Sequence, residues 1–252
     1  MDIREQAKTW FCMESSIVIS EHQYATHYLS DWHTITPLAD GFWSFENLML
    51  TRIVSPLTPM ARKDMRAIIN ETAFRAFCLL HNNSTRIRRT DVLNAIEVEL
   101  SPSLLYIQRF SPSSHLQTEN IDDNFRKEAG NLVFRLLHFF PGSTPTILRP
   151  TFSGCGLLSQ CEGDVIKGSC LYEVKAGERG FRVVDLRQLL TYTALAYANG
   201  SLSFQEIGLF NPRTGLAWKK SLEEVSYSLS GLRLTDTLSA LVDRFSGASA
   251  SR

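Results

Sequence analysis

The stretch 163–192 constrains the fold more than any other part of the chain, because three different signals follow one another closely there. Its middle, Cys170 to Ala176, is short and apolar with a charged end, and Gly168 and Gly177 bound it. A short apolar run between glycines is typical of a β-strand. We therefore predict a strand at this position, and the segments before and after it are interpreted relative to that strand.

Side chains on a strand alternate between its two faces, so Leu171, Glu173 and Lys175 are predicted to point the same way. Asp164 begins the preceding apolar segment, and a turn around Lys167-Gly168 would join the two segments as a hairpin. The hairpin would place Asp164 beside Glu173. A carboxylate pair and an ammonium group are thus predicted to meet at one end of two neighbouring strands.

Two carboxylates at close range repel each other unless a positive group lies between them. Mg²⁺ prefers oxygen ligands, often one or two carboxylates together with water and substrate phosphate. Asp164 and Glu173 are therefore candidate metal ligands. Lys175 is a candidate for orienting or deprotonating an attacking water, or for stabilising charge that grows on a phosphate.

A helix is predicted directly afterwards, from Asp185 to Ala198, with leucines on its packing face. Gln188 and Tyr192 are four positions apart, so their side chains project together. We predict that these two side chains lie on a different face of the helix from the packing leucines.

Asp164 after Gly163, then Glu173-Val174-Lys175, then Gln188-xxx-Tyr192 together resemble the PD-(D/E)XK nuclease superfamily, and more narrowly its RecB-like branch with a QxxxY motif. The resemblance implies hydrolysis of phosphodiester bonds by a Mg²⁺- or Mn²⁺-dependent enzyme, with DNA favoured as the substrate. It also implies that Asp164 and Glu173 bind the metal, that Lys175 is the catalytic lysine, and that Gln188 and Tyr192 support the site and contact nucleic acid.

The resemblance covers about residues 121 to 245. Many members carry a further acid on the helix before the sheet, and Glu128 is the best match here, as a third metal ligand. Gly163 stands where the name of the superfamily has a proline. Arg213, in a predicted turn after the strand 204–210, is interpreted equally as a substrate contact or as an ordinary turn residue.

Each signal also has an ordinary interpretation, since an acid-x-Lys triplet is common at solvated strand ends and Asp164 suits a turn. A second hypothesis is therefore an interaction protein that keeps the fold without cutting. A third is a nuclease that stays inactive until a partner protein engages its N-terminal region. By analogy, such a small stand-alone nuclease resembles those of bacterial or phage antiviral defence and of mobile-element systems.

The fold class predicted is α/β: a restriction-endonuclease-like αβββαβ core, with a mixed sheet flanked by helices, preceded by a mainly helical N-terminal region. The domain boundary is placed near residue 115, giving 1–115 as an accessory region and 116–252 as the nuclease-like core. In the first part, a helix is predicted over 58–81 with Thr58 as its cap, a second to about Leu100, and a connector over 101–120.

The N-terminal region offers two open alternatives for contact with a partner or substrate. Its many aromatic residues suit base stacking on single strands, but a small core or a partner-binding surface is favoured, because interleaved basic residues are scarce. The cluster Arg86, Arg88 and Arg89 is a candidate for phosphate contact, although a solvated turn is the more common role of such residues.

The 252 residues carry 26 basic and 26 acidic side chains, so the chain has no global electrostatic attraction for nucleic acid. The five cysteines are unevenly spaced, which favours reduced thiols in a cytoplasmic protein over a zinc site built from Cys155, Cys161, Cys170 and His138. Their placement does not resemble an iron–sulfur pattern. No signal peptide or membrane-spanning run is recognised, so no membrane association is expected.

Overall fold

The computed structural model describes residues 18–81, 87–110 and 121–247. Three short helices come first, α1 (Glu21–His27), α2 (Leu29–Ile35) and α3 (Ala39–Leu48), followed by strand β1 (Thr51–Arg52). A 3₁₀ turn (Lys63–Met65) leads into three longer helices, α4 (Arg66–His81), α5 (Arg89–Phe110) and α6 (Asp123–Phe139). The helical character predicted for the N-terminal region is thus present in these residues.

Five strands, one helix, two strands and two helices follow in that order. They are β2 (Thr146–Leu148), β3 (Thr151–Phe152), β4 (Cys161–Glu162), β5 (Val165–Lys167), β6 (Cys170–Val174), α7 (Val183–Ala198), β7 (Glu206–Asn211), β8 (Leu216–Ser221), α8 (Leu222–Ser230) and α9 (Leu234–Gly247). The main sheet has six strands in the order β1-β8-β7-β6-β5-β2, and β3 and β4 form a separate pair. Only β6 and β7 pair in parallel within the main sheet; the other neighbours are antiparallel. The fold is therefore α/β with a mixed sheet, as predicted.

Helices cover both faces of the sheet. On one face, Val165, Tyr172 and Phe210 pack in an apolar cluster with Phe77 of α4 and Phe140 beyond α6. On the opposite face, a larger cluster joins the sheet to helices from both ends of the chain, with Trp32, Leu171, Leu189, Leu209 and Phe245 among its members. Helix α7 is buried along most of its length, so side chains on more than one of its faces contact protein.

The predicted hairpin is confirmed: β5 and β6 pair with Val165 opposite Tyr172 and Lys167 opposite Cys170. Gly168 occupies the turn with φ 58°, a left-handed conformation that glycine adopts without steric cost. Because the register is fixed by this tight turn, the residues that flank the two strands are also brought together. The hairpin thereby determines where Asp164 and Glu173 lie.

The helix predicted to begin at Thr58 is wrong at its start, since α4 begins at Arg66. Amides of this stretch are bound by distant groups: Leu57 N donates to the carbonyl of Arg213 at 2.7 Å, and Met60 N donates to Glu128 at 2.7 Å. Tertiary contacts therefore override a favourable capping sequence. This ordered segment, residues 53–62, crosses from the sheet edge to α6 and is called the strap below.

The predicted connector is wrong for residues 101–110, which continue α5 through Pro102 to Phe110. Leu100 and Leu104 pack in the apolar cluster formed by α4, α5 and α6, which explains why the helix persists past the proline. Residues 111–120, including the predicted boundary near 115, lie outside the described residues. Helices before the boundary and strands after it nevertheless share one apolar cluster.

Two further predictions about strands need correction. The sequence predicts a strand at 144–148 that continues near 156–160, but the second stretch makes a turn with an isolated bridge between Cys155 and Leu158. Strand β8 is not among the predicted elements, because Lys219 and Lys220 follow Trp218 and the sequence there is interpreted as leading into a helix from Ser221. Trp218 is buried in the sheet while Lys219 stays exposed, so the strand has one apolar and one charged face.

The sequence predicts helices from Ser221 to about Leu229 and from Leu232 to Phe245, and the last two described helices begin within two residues of these positions. Ser221 caps α8 by accepting a hydrogen bond from Glu224 N at 3.2 Å, and Gly231 ends it in a left-handed conformation with φ 73°. None of the helices in 18–81, 87–110 and 121–247 has the combination of length and apolarity that crossing a bilayer requires.

Candidate active site

The β5–β6 hairpin places the two predicted acidic residues at one end of its strands. Asp164 directly precedes β5, and its Oδ2 accepts a hydrogen bond from Val174 N at 2.6 Å across the hairpin. Glu173 is the penultimate residue of β6 and is 6% exposed. The structure therefore brings Asp164 to the strand end that carries Glu173, as the hairpin register predicts.

Lys175 follows β6 and extends the sheet, since its backbone N donates to the carbonyl of Phe210 at 2.9 Å. Its Nζ donates to Glu173 Oε1 at 2.9 Å and to Gln188 Oε1 at 2.7 Å. Asp185 Oδ1 lies 3.9 Å from the same nitrogen. The ammonium is thus held between the strand and helix α7, and Glu173 and Gln188 meet at Lys175.

Tyr192 lies one turn after Gln188 on α7 and accepts a hydrogen bond from Gln188 Nε2 at 2.8 Å. Its ring stacks on Phe152, with the ring centres 5.2 Å apart, and the residue is 1% exposed. Such burial gives Tyr192 a supporting position behind Gln188. Contact of either side chain with a nucleotide strand stays a prediction.

Burial and mutual repulsion dominate the electrostatics of the carboxylates. Removal from water raises the pKa of Asp164 well above its usual value, and the charge of Glu173 raises it further. Burial also raises the pKa of Glu173, although Lys175 acts in the opposite direction. For Lys175, burial acts to lower the pKa, but the charge and hydrogen bond of Glu173 outweigh it, so the pKa is raised. The arrangement favours a bound cation.

A polar atom without a partner marks the place where such a cation fits. Glu173 Oε1 binds Lys175, but Glu173 Oε2 is buried and has no hydrogen-bond partner. A buried carboxylate oxygen without a partner is costly unless a ligand supplies one. Asp164 and Glu173 therefore suit Mg²⁺ or Mn²⁺, which accept two carboxylates and complete their shells with water and phosphate oxygens.

Within 18–81, 87–110 and 121–247, no three His, Cys, Asp or Glu residues cluster as a metal site.

Glu128 and Arg213 form a separate buried ion pair. Glu128 on α6 is fully buried; its Oε1 binds Arg213 Nη1, and its Oε2 accepts hydrogen bonds from Met60 N and Ala61 N at 2.7 and 2.9 Å. These contacts occupy both oxygens with groups of the strap and the turn after β7. Glu128 as a third metal ligand stays a prediction, and in this structure its carboxylate serves to hold the strap.

Arg213 is 2% exposed, so its guanidinium does not face solvent. Besides Glu128, it donates through Nη2 to Asn70 Oδ1 at 2.8 Å and through Nε to the carbonyl of Ala176 at 2.9 Å. The last contact lies next to Lys175 and links the ion pair to the loop after the candidate catalytic strand. The geometry gives Arg213 a structural role here, and its contact with substrate stays a prediction.

The loop from Lys175 to α7 is fixed by a second ion pair. Arg179 donates through Nη1 and Nη2 to the two oxygens of Asp185, each at 2.7 Å, and Arg182 N donates to Asp185 Oδ2 at 2.8 Å. Asn211 Nδ2 donates to the carbonyl of Gly177 at 2.8 Å. A paired guanidinium and carboxylate with two parallel hydrogen bonds is rigid. The start of α7, and with it Gln188, is thereby held against the strand.

Two acids near the site were missed by sequence reasoning. Glu21, in the first turn of α1, lies 3.4 Å from Gln188 Nε2, and its charge contributes to raising the pKa of Glu173. The charge of Glu71 on α4 contributes to raising the pKa of Asp164. Of these two acids, only Glu21 has a local sequence signal. Ser20 and Gln23 form a capping box, which places Glu21 at the start of a helix but does not indicate which residue it contacts.

We expect Asp164→Asn to stabilise the metal-free protein increasingly as pH rises above the usual carboxyl range. A carboxyl whose pKa is raised by folding contributes stability that is present at low pH and is lost as pH rises towards its folded pKa. Asparagine keeps an oxygen for Val174 N and carries no charge. Thermal unfolding in EDTA from pH 4 to 8 measures the effect, and a difference in Tm that does not grow with pH would contradict it.

A basic cleft lies between α5 and α6, with a volume of about 360 Å³. Arg89, Arg126 and Lys127 line it, opposed by Asp123, and Phe134 is exposed at its wall. Arg126 is bound to Glu97 at 2.6 Å, whereas the exposed Arg89 and Lys127 make no ion pair within the described part of the chain. Of the predicted basic cluster, Arg86 lies outside the described residues and Arg88 contacts Asp91.

The described cysteines, Cys78, Cys155, Cys161 and Cys170, form no disulfide with one another. Burial raises the pKa of Cys161 to about 12, so this thiol is a weak nucleophile at neutral pH.

Comparison of the chain with models of known protein families gives no match, and comparison with curated proteins gives none either.

Proposed function

We propose that this chain is a metal-dependent nuclease with a PD-(D/E)XK-like core, which hydrolyses phosphodiester bonds of nucleic acid, with DNA as the favoured substrate. The observation that carries the proposal is the convergence of Asp164, Glu173 and Lys175 at the open end of the β5–β6 hairpin, with one oxygen of Glu173 buried and unpartnered. An arrangement so costly for a metal-free protein is accounted for if a cation binds there.

The residues have distinct roles in the proposed reaction. Asp164 and Glu173 would hold Mg²⁺ or Mn²⁺, which would lower the pKa of a water and neutralise charge on the phosphate. Lys175 is held by Glu173 and Gln188, so its ammonium is placed beside the metal ligands, where it stabilises charge in the transition state or orients the attacking water. Gln188 and Tyr192 keep that lysine in position.

The test is cleavage of plasmid, linear duplex, single-stranded DNA and RNA by the purified chain in Mg²⁺, Mn²⁺ or EDTA. We expect cleavage of DNA in metal and none in EDTA. In parallel, Mn²⁺ should raise the Tm of the wild type but not that of Asp164→Asn. Metal binding without cleavage of any substrate would favour the partner-gated alternative, and neither binding nor cleavage would overturn the proposal.

The contacts of Lys175 also support the alternative in which the nuclease becomes active only when a partner protein binds. The ammonium already binds two protein oxygens, and the chain has no net charge to attract a polyanion. A partner that rearranges the N-terminal helices beside α7 would then start the reaction. This alternative predicts weak cleavage by the chain alone and strong cleavage in the complex.

We propose that the basic cleft binds the phosphate backbone of the nucleic acid. We expect the double variant Arg89→Glu with Lys127→Glu to weaken binding of fluorescent DNA by about tenfold at moderate salt, with a shallower dependence on salt concentration, because two phosphate contacts are lost. Arg233→Glu, which reverses an exposed arginine in the turn between α8 and α9, is the control. Equal weakening in the control would show a general charge effect and remove the cleft from the binding surface.

A further inference from the structure

The side-chain amide of Gln188 joins two parts of the molecule that are distant in sequence. Its Oε1 accepts from Lys175 Nζ at 2.7 Å, while its Nε2 donates to Tyr192 Oη at 2.8 Å and reaches Glu21 Oε1 at 3.4 Å. The amide therefore stands between the candidate catalytic lysine and a carboxylate from the first described helix. Its orientation decides which end faces the lysine.

Of the three groups that contact the amide, only Lys175 and Glu21 favour one orientation over the other. An ammonium only donates and a carboxylate only accepts, whereas a tyrosine hydroxyl does both. Turning the amide over would place Oε1 against the Glu21 carboxylate and the NH₂ group against Lys175, so both contacts would become repulsive. Tyr192 tolerates either orientation. Lys175 and Glu21 together thus select the observed one.

Glu21 is itself held in place by local structure. Ser20 Oγ accepts from Gln23 N at 3.1 Å, and Gln23 Oε1 accepts from Ser20 N at 3.0 Å, so the first turn of α1 is closed by a reciprocal cap. Tyr24 and Ala25 in the next positions are fully buried against the core. The carboxylate of Glu21 is consequently presented to α7 by a fixed backbone.

We propose that Glu21 is a positioning residue of the candidate active site, which holds the Gln188 amide so that Oε1 binds Lys175. It acts through Gln188 and has no contact with Lys175 of its own among the described hydrogen bonds and ion pairs. The effect on catalysis rests on the proposed function, whereas the hydrogen-bonding role does not. The predicted accessory region thereby contributes directly to the order of the site.

The experiment exchanges the two side chains. Gln188→Glu alone places a carboxylate beside Glu21 and Glu173, so the variant should unfold at a clearly lower temperature than wild type. Adding Glu21→Gln restores a donor opposite that carboxylate, while Lys175 and Tyr192 can both still donate to it. We expect the double variant to recover much of the lost Tm, as coupled neighbours do not behave additively.

Kinetics separate positioning from a general structural effect. Glu21→Gln should lower kcat about five- to tenfold and leave KM unchanged, because the amide loses its selected orientation while the substrate surface is intact. The same change in a Gln188→Ala background should have no further effect on kcat. Glu223→Gln, which removes a first-turn glutamate from α8, is the matched control and should match wild type.

The two readouts fail independently. A double variant no more stable than Gln188→Glu would overturn the contact between Glu21 and Gln188, whatever the chain catalyses. A wild type that neither binds metal nor cleaves any substrate would instead remove the proposed function and leave the unfolding result to decide the contact. Recovery of Tm together with an unchanged kcat in Glu21→Gln would refute positioning while keeping the hydrogen bond.

Discussion

Replacing Lys175 with methionine should lower metal-dependent cleavage by about a hundred- to a thousandfold, as the loss of one preorganised charged donor from a transition state does in enzymes. Methionine keeps much of the volume of the lysine stem but offers nothing to Glu173 Oε1 or Gln188 Oε1, which bind the ammonium in the structure. The loss should appear in kcat, because in the proposed mechanism Lys175 acts on the reacting phosphate.

Lys219→Met is the matched control for this prediction. Lys219 lies exposed on β8, paired with Glu206 at 2.8 Å, so its replacement removes one surface charge and no group of the site. Single-turnover cleavage by folded protein, checked by circular dichroism, provides the measurement. Lys175→Met cleaving as fast as Lys219→Met, with cleavage still abolished by EDTA, would remove Lys175 from the mechanism.

Replacing Arg213 with methionine should destabilise the protein by about 3–5 kcal/mol, the usual cost of leaving one member of a buried ion pair unpaired. Glu128 is fully buried and Arg213 nearly so, and the guanidinium also holds Asn70 and the carbonyl of Ala176. Because these contacts join α4, α6 and the loop after β6, their loss should lower the midpoint of a single cooperative transition in urea.

A second variant separates the unpaired charge from the lost packing. Glu128→Gln in the Arg213→Met background removes the charge and keeps an oxygen for Met60 N and Ala61 N, so part of the stability should return. Arg233→Met, at an exposed arginine, should leave the midpoint unchanged. If Arg213→Met unfolds at the same urea concentration as Arg233→Met, the ion pair does not stabilise the fold.

The parts of the site that lie close in sequence could be predicted from it. Asp164, Glu173 and Lys175 are joined by one tight hairpin, and Gln188 and Tyr192 follow at helical spacing, so alternation and turn chemistry place them. The hydrogen bond between Gln188 and Tyr192 is what the spacing implies. Local rules were sufficient because no distant element is needed to set these distances.

The remaining contacts depend on distant partners and have no local signal. The strap is extended because its amides bind Arg213 O and Glu128, and nothing between Ile53 and Arg62 reveals that requirement. Glu21 faces Gln188 only because α1 packs against α7. Arg213 follows a strand, as the sequence predicts. It is buried because it pairs with Glu128 on α6, and that pairing has no local signal.

The packing of the first described helices against the last one has a consequence for biosynthesis. Tyr24 and Phe245 lie edge to face with ring centres 5.0 Å apart, and Trp32 belongs to the same apolar cluster. During translation these aromatic rings leave the ribosome long before α7 and α9 exist to cover them. Nascent chains therefore carry an exposed apolar surface until α9 is made, and chaperones that bind such surfaces should associate with ribosomes that have not yet translated α9.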